Sequence, residues 1–365
     1  MRFSRLTKIL IGLAVAVVII FGLLIGARSI KPDGPFDDLL AWVPKRQTRF
    51  ERQGGSQFLL EVDKNDLIES RLETVLEDVR SLLRNAKIGY RGLFVSDREF
   101  RVHISDPAEI DAAKTALKIF TDPIAGDNPI REFVLDEPEP GLLRLTLTGE
   151  GMKLRNSMAM VPSMETVRLR ASESDSEPIV QQQGDDRILL QVPGLRDPQR
   201  LKEILGRSGR LTFQMIDTSW PIEDALKNRP PRGSSVLFSQ DEPPVPYLVE
   251  DRVIVSGDNI VDARATYNAA MDAPVVSFRF DAKGTARFGE ATSQNVGKPF
   301  AMILDNQVLS APIIREPILG GSGQISGNFT KESADDLALI LRSGPMAASL
   351  KIVEVRTIAP GGVQN

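Results

Sequence analysis

The feature that most constrains this chain is an uninterrupted apolar run from Ile9 to Ala27, ILIGLAVAVVIIFGLLIGA. At roughly 1.5 Å rise per residue, such a helix spans about 28 Å, close to a hydrocarbon core of about 30 Å. Arg2, Arg5 and Lys8 precede the run and no acidic residue appears before Asp33. The positive-inside rule therefore puts the N-terminus in the cytoplasm and the bulk of the chain outside, with Arg28 and Lys31 reducing the contrast. A cleaved signal would have an apolar region of only about 7 to 15 residues and an A-x-A-like site. Gly26-Ala27-Arg28 is a poor site, so residues 1–28 read as a cytoplasmic tip and a single uncleaved membrane anchor.

Composition excludes several function classes. The chain is 42% hydrophobic and 26% charged over 365 residues, which suits two or three globular domains. A net charge of -4 and a pI near 5.4 argue against nucleic acid as a partner, because a polyanion needs a concentrated basic surface. With no cysteine there is no disulfide, no thiolate catalysis and no cysteine metal site.

Beyond the anchor, residues 29–52 read as a juxtamembrane linker, carrying Pro32, Gly34, Pro35 and Pro44 among charges. A second break runs from Pro221 to Pro246 with Pro230, Pro231, Pro243 and Pro244, a composition set against a helix or a central strand. It predicts a linker over 221–246 between an N-terminal half, 53–220, and a C-terminal unit, 247–365. One order of elements recurs in these halves. A strand at Gln57 to Val62 precedes a helix from about Asn65 to Arg84, with Ile68, Leu72, Val75, Leu76, Val79, Leu82 and Leu83 on its apolar face and Leu67, Arg71, Thr74 and Asp78 outward.

Strands at 91–95 and 100–104 follow, then a helix opened by Asp106-Pro107-Ala108-Glu109, in which Asp caps, Pro takes the first helical position and Glu completes an acidic capping box. Asp197-Pro198 repeats that start after strands at 178–183 and 187–192. The C-terminal unit gives strand 275–280, helix 282–296, strands 300–304 and 307–313, helix 331–342 and strand 350–356. Read as β-α-β-β-α-β, this predicts an α+β protein of three repeated ferredoxin-like units with antiparallel sheets, two of them in the N-terminal half.

No constellation for catalysis, cofactor or metal emerges. His103 is the only histidine and reads as a surface or edge-strand residue, since a metal would need further ligands. Gly184-Asp185-Asp186 supplies hairpin-turn chemistry. Gly320-Gly321-Ser322-Gly323 lacks the Gly-Lys-Ser/Thr ending of a phosphate loop and reads as a tight connection.

Four stretches together resemble the SecD family of protein translocase accessory subunits. They are Gln53-Gly54-Gly55-Ser56 running into Phe58 to Asp63; Ile179 to Gly194 with Asp197-Pro198 behind it, similar to the family's Q-x-x-G-x-x-R-I-x-x-Q-x-P-G hairpin; Val275 to Gly297; and Leu309 to Phe329. Thr48 to Arg52 and Leu169 to Glu177 depart from the family pattern. A complete SecD would enter further membrane spans soon after Thr357, whereas this sequence ends at Asn365, so the reading is a single-span relative or the front part of a longer product.

The resemblance implies a non-enzymatic role in Sec-dependent protein translocation, with a translocating unfolded polypeptide, SecF-like and translocase core subunits, and the membrane as partners. It also implies that Gln53, Gly54 and Gly55 form the family glycine motif. A mobile, substrate-contacting segment is expected around Arg315, Glu316, Pro317, Gly320, Gly321, Gly323 and Phe329. The alternative is a single-span envelope adaptor or assembly factor that binds a folded partner. The Pro-rich stretch is expected to act as a hinge between the halves.

Overall fold

The computed structural model describes residues 49–124, 129–172 and 177–360. The apolar run, most of the expected linker 29–52 and residues 361–365 lie outside them. No helix among the described residues is long and apolar enough to cross a membrane.

After a short helix α1 (Arg49–Gln53), strand β1 (Gly55–Val62) leads into helix α2 (Lys64–Asn85), capped by the Asp63 side chain accepting from Asn65 N. The hairpin β2 (Tyr90–Ser96) and β3 (Glu99–Ile104), helix α3 (Ile110–Thr121) and the hairpin β4 (Phe133–Glu139) and β5 (Leu142–Leu147) come next. They form a four-stranded antiparallel sheet of order β2-β3-β5-β4. Alternate residues Phe100, Val102, Ile104, Leu143, Leu145 and Leu147 point to one face and are buried under α2 and α3.

Helix α4 (Gly149–Ala171), hairpin β6 (Ile179–Gln183) and β7 (Arg187–Pro193) and helix α5 (Gln199–Gly206) return the chain to β1. The second sheet has the antiparallel order β16-β1-β7-β6, where β16 (Leu350–Ile358) is the last strand of the described chain. Phe58, Leu60, Ile188, Leu190 and Val192 from these strands pack with Met160 and Val167 of α4 and Leu201 and Leu205 of α5.

Between α5 and β16 lie β8 (Leu211–Ile216), α6 (Ile222–Lys227), β9 (Ser234–Ser239), β10 (Pro246–Ser256), β11 (Ile260–Asn268), β12 (Ala273–Phe280), α7 (Ala282–Gln294), β13 (Phe300–Leu304), β14 (Gln307–Ser310), β15 (Ser322–Ile325) and α8 (Lys331–Ser343). Five strands close a barrel, β10-β8-β13-β14-β9, beside a three-stranded sheet β11-β12-β15. One core joins that sheet to the barrel, and Val249, Ala301, Ile303 and Val308 of the barrel strands form a separate cluster. The Phe213 ring lies 5.2 to 6.4 Å from those of Phe278, Phe280, Phe288 and Phe300, in edge, tilted and stacked contacts.

The fold is α+β with antiparallel pairing in its sheets except between β9 and β14, which run parallel in the barrel, and three consecutive units do not form. β1 pairs with β7 and β16, not with β2 or β3. The strands expected in one C-terminal sheet divide among three: β12 beside β11 and β15, β13 in the barrel, β16 against β1. Periodicity reports which face of an element is buried; it carries no label for the strand alongside.

The segment 221–246 is not a bare linker. It contains α6 and β9, and β9 pairs with β10 and β14. Its prolines stand before β9, in the turn after it, and at the first residue of β10, positions where a missing N–H costs no ladder bond. Since β8 and β10 share one barrel, a hinge placed between them has no two bodies to separate. Two smaller readings also change. Arg71 turns inward to Glu132, and His103 sits on an interior strand, with β2 on one side and β5 on the other.

Candidate functional site

Helix α5 starts where Asp197 Oδ1 accepts from Gln199 N at 3.0 Å. It presses Leu201 and Leu205 onto the four-stranded sheet, while Ile204 meets Leu339 and Ile340 of α8. Helix α8 is fixed at its start by a reciprocal capping box: Ser333 N donates to Thr330 Oγ1 at 3.1 Å and Thr330 N to Ser333 Oγ at 2.9 Å. Its Ala334, Leu337, Ala338 and Leu341 face the core between the three-stranded sheet and the barrel.

Between α5, α8 and two flanking segments lies a cleft of about 590 Å³. Ile204, Leu309, Phe329, Leu337 and Ile340 give it an apolar lining, and Glu203, Asp241 and Asp336 bring three carboxylates against the single cation of Arg207. Arg200 holds Asp336 at 2.7 Å, and Asn328 Nδ2 donates to Asp241 at 3.2 Å. Such a lining accepts apolar side chains and favours a cationic neighbour over an anionic one. No cluster among the described residues could hold a metal ion, and the cleft lining has no histidine, cysteine or lysine beside Ser333.

Of the expected substrate-contacting residues, Phe329 alone lines this cleft. Arg315, Glu316 and Pro317 are exposed on the irregular stretch between β14 and β15. That stretch is tethered by buried Ile314 and by Ile318 N, which donates to Thr292 Oγ1 at 3.0 Å. Gly320 is exposed, Gly321 is buried at φ +64° against Thr285, and at Gly323 on β15 an added Cβ would stand 2.6 Å from Phe278 Cζ. These residues lead into an edge strand of the three-stranded sheet and are not gathered at the cleft.

The glycine motif has a different task. Gln53 ends α1, and Gly54 and Gly55 adopt φ +64° and +142°. An added Cβ would stand 2.3 Å from Ile358 O at Gly54 and 2.2 Å from Val192 O at Gly55. Only glycine lets β1 enter between its two neighbours this closely.

Arg170 of α4 was not foreseen. It is 1% exposed, and its guanidinium makes five hydrogen bonds, none to a carboxylate. Nε donates to Ser343 Oγ at 3.1 Å, Nη1 to Ile204 O at 3.0 Å and to Arg207 O, and Nη2 to Ser208 O at 3.2 Å and Gly344 O at 3.1 Å. Desolvation pulls its pKa down to about 10, opposed by the nearby charge of Asp305. A second buried polar contact joins Glu132 to Arg71 at 2.7 Å and Arg155 at 2.5 Å. Burial pushes the Glu132 carboxyl up, yet Arg155 and Arg71 outweigh it and hold the carboxyl below its ordinary 4.5.

Comparison with known proteins adds an independent line. Residues 161–218 match the family model of the N-terminal part of the P1 domain of protein translocase subunit SecDF, and residues 234–348 match that of the SecDF P1 head subdomain. Protein translocase subunit SecD of Rickettsia bellii is 40% identical over 313 residues, covering 84% of this chain and 58% of the relative. SecD of Acetobacter pasteurianus is 36% identical over 345 residues, covering 92% of this chain and 64% of the relative. A crystal structure of SecDF in its super-membrane-facing form shares the fold, with a TM-score of 0.50 and 22% identity over 88% of this chain and 33% of that one. The chain thus spans about three fifths of the length of these SecD relatives.

Proposed function

Because the chain belongs to the SecD family, we propose that it serves Sec-dependent protein translocation as an accessory, non-enzymatic subunit that holds emerging polypeptide on the outer side of the inner membrane. The observation that carries this reading is likeness to SecD along 84 to 92% of the chain. In this reading, the bulk of the chain is extracytoplasmic and anchored through Ile9 to Ala27, and it works beside SecF-like and translocase core subunits. The cleft is where an extended chain is held: it has apolar surface for side chains of any order and carboxylates that tolerate the lysines and arginines of a secretory sequence. The stretch from Arg315 to Gly323 supplies a second contact, because it ends in an edge strand able to pair with extended backbone.

A photocrosslinking amino acid placed at Phe329 and, separately, at Arg315 tests the assignment against a stalled secretory protein. Adducts from Phe329 are expected first. If neither position forms an adduct while the translocase core co-purifies, the polypeptide-binding role is wrong and a scaffolding role takes its place. Nothing observed favours the adaptor alternative.

A further inference from the structure

The chain crosses twice between the sheet built on β1 and the barrel: outward through Arg207 to Arg210, between α5 and β8, and back through Gly344 to Ser349, between α8 and β16. Arg170 bonds to both crossings. Three of its acceptors, Ile204 O, Arg207 O and Ser208 O, belong to the end of α5 and the outward crossing. The other two, Ser343 Oγ and Gly344 O, belong to the end of α8 and the return. Met346 N donates to Ser208 O at 2.8 Å, so the crossings are also bonded to each other.

The outward crossing is gripped from its other side by the barrel. Asp305, in the turn between β13 and β14, accepts from Ser208 Oγ, from Gly209 N at 3.2 Å and from Arg210 N at 2.9 Å. Carbonyls thus go to a cation on α4 while amides go to an anion on the barrel. A buried cation without a carboxylate needs another source of negative potential. Here it sits where the C-terminal ends of α5 and α8 converge, each presenting carbonyls that no further helical turn satisfies. All five N–H groups of the guanidinium are engaged, and a lysine ammonium offers only three.

We propose that Arg170 is the fixed point of both crossings and thereby sets the spacing between α5 and α8, the two walls of the cleft. It is a positioning residue. The polypeptide-binding reading enters only in what the cleft serves; the geometric claim stands apart from it.

The chain has no native cysteine, so labels at Lys202→Cys on α5 and Lys331→Cys on α8, both exposed, report the spacing of the walls in the full chain by pulsed electron spin resonance. With Arg170 in place, one narrow distance is expected. Arg170→Met should shift and broaden it, Arg170→Lys should give an intermediate width, and Ser343→Ala, which removes one acceptor, the smallest change. A lowered melting temperature with the wild-type distance retained in Arg170→Met would reduce Arg170 to a stabilising side chain and overturn the proposal. Should Arg170→Met fail to fold, wild-type distances in both Arg170→Lys and Ser343→Ala overturn it equally. Crosslinking from Phe329, run on the same proteins, separates the two claims: adducts absent from the wild type count against polypeptide binding and leave the distances untouched.

Discussion

Helix α8 buries Ala334, Leu337, Ala338, Leu339, Ile340 and Leu341, whereas helix α4 buries Asn156, Ser163, Thr166 and Arg170 alongside Ala159, Met160 and Val167. Both helices are well covered, but the buried side chains of α8 are all apolar, its side-chain bonds to other elements coming from Asp336, Arg342 and Ser343 outside that set, whereas α4 makes bonds of fixed geometry from side chains that are themselves buried. Arg155 and Glu132 tie α4 to α2, Asn156 Nδ2 donates to Asp185 O at 2.5 Å in the β6–β7 turn, and Arg170 ties it to both crossings. An apolar face loses stability in proportion to the atoms removed. A polar one fails bond by bond, and each failure leaves a buried group unpartnered.

The largest effect is expected at Glu132, where Glu132→Gln leaves Arg71 and Arg155 facing a neutral amide and should cost about 3 to 5 kcal/mol in urea unfolding. A loss under about 1 kcal/mol would erase the distinction between the helices, since that is the worth of an exposed ion pair. The same contact has a pH signature. The carboxyl pKa is lowered on folding, so the stabilisation is complete above the unfolded value near 4.5 and is lost as pH falls through the lower folded value. Glu132→Gln should flatten that acid limb of the stability profile.

On the apolar side, Leu341→Ala should cost about 3 kcal/mol and Leu341→Met less than about 1.5 kcal/mol, a tolerance of shape that no position on the polar face of α4 should share. A Met variant as damaged as the Ala variant would show that α8 is also held by geometry. The smallest effect sharpens the comparison from the other direction. Ser163 is fully buried and its Oγ makes no hydrogen bond among the described residues, so Ser163→Ala should be neutral or stabilising by up to about 1 kcal/mol in thermal unfolding. A marked loss there would mean that the hydroxyl has a partner.

The contrast also explains what could be read in advance. Every local signal for α8 agrees: Thr330 caps, the apolar spacing is regular and Gly344 stops the helix. The Asp106 cap holds as well, donating groups included, since Ala108 N reaches its Oδ1 at 2.9 Å. Glu109, expected to close the capping box, accepts from Gly89 N instead, a contact set by the tertiary fold. Helix α4 hides because Pro162, a helix breaker by composition, stands inside it and because Arg170 and Asn156 look like solvent-facing residues until their distant acceptors are known. Strand β5 has a clear alternation, Leu143, Leu145 and Leu147 inward, but an assumed repeat order left no place for it. Of the site, Phe329 could be named from the family likeness, while the cleft walls could not, since α5 and α8 meet only after the barrel has been built between them.

The pairing of β1 with β16 has a consequence for synthesis. Central strand β1, the first described, pairs on one flank with the edge strand β16, the last described, so a ribosome delivers that flank only after all the segments between them have emerged. The β2-β3-β5-β4 sheet and the barrel are both inserted between the parts of this sheet, and each closes a core of its own from residues already available. Non-local pairing is slow because loop-closure entropy opposes it, and cores made of nearer segments close sooner. Pulse-labelled amide exchange should therefore protect Leu143 and Phe213 before Leu60, the bodies carried by the sheet taking shape ahead of the sheet that carries them.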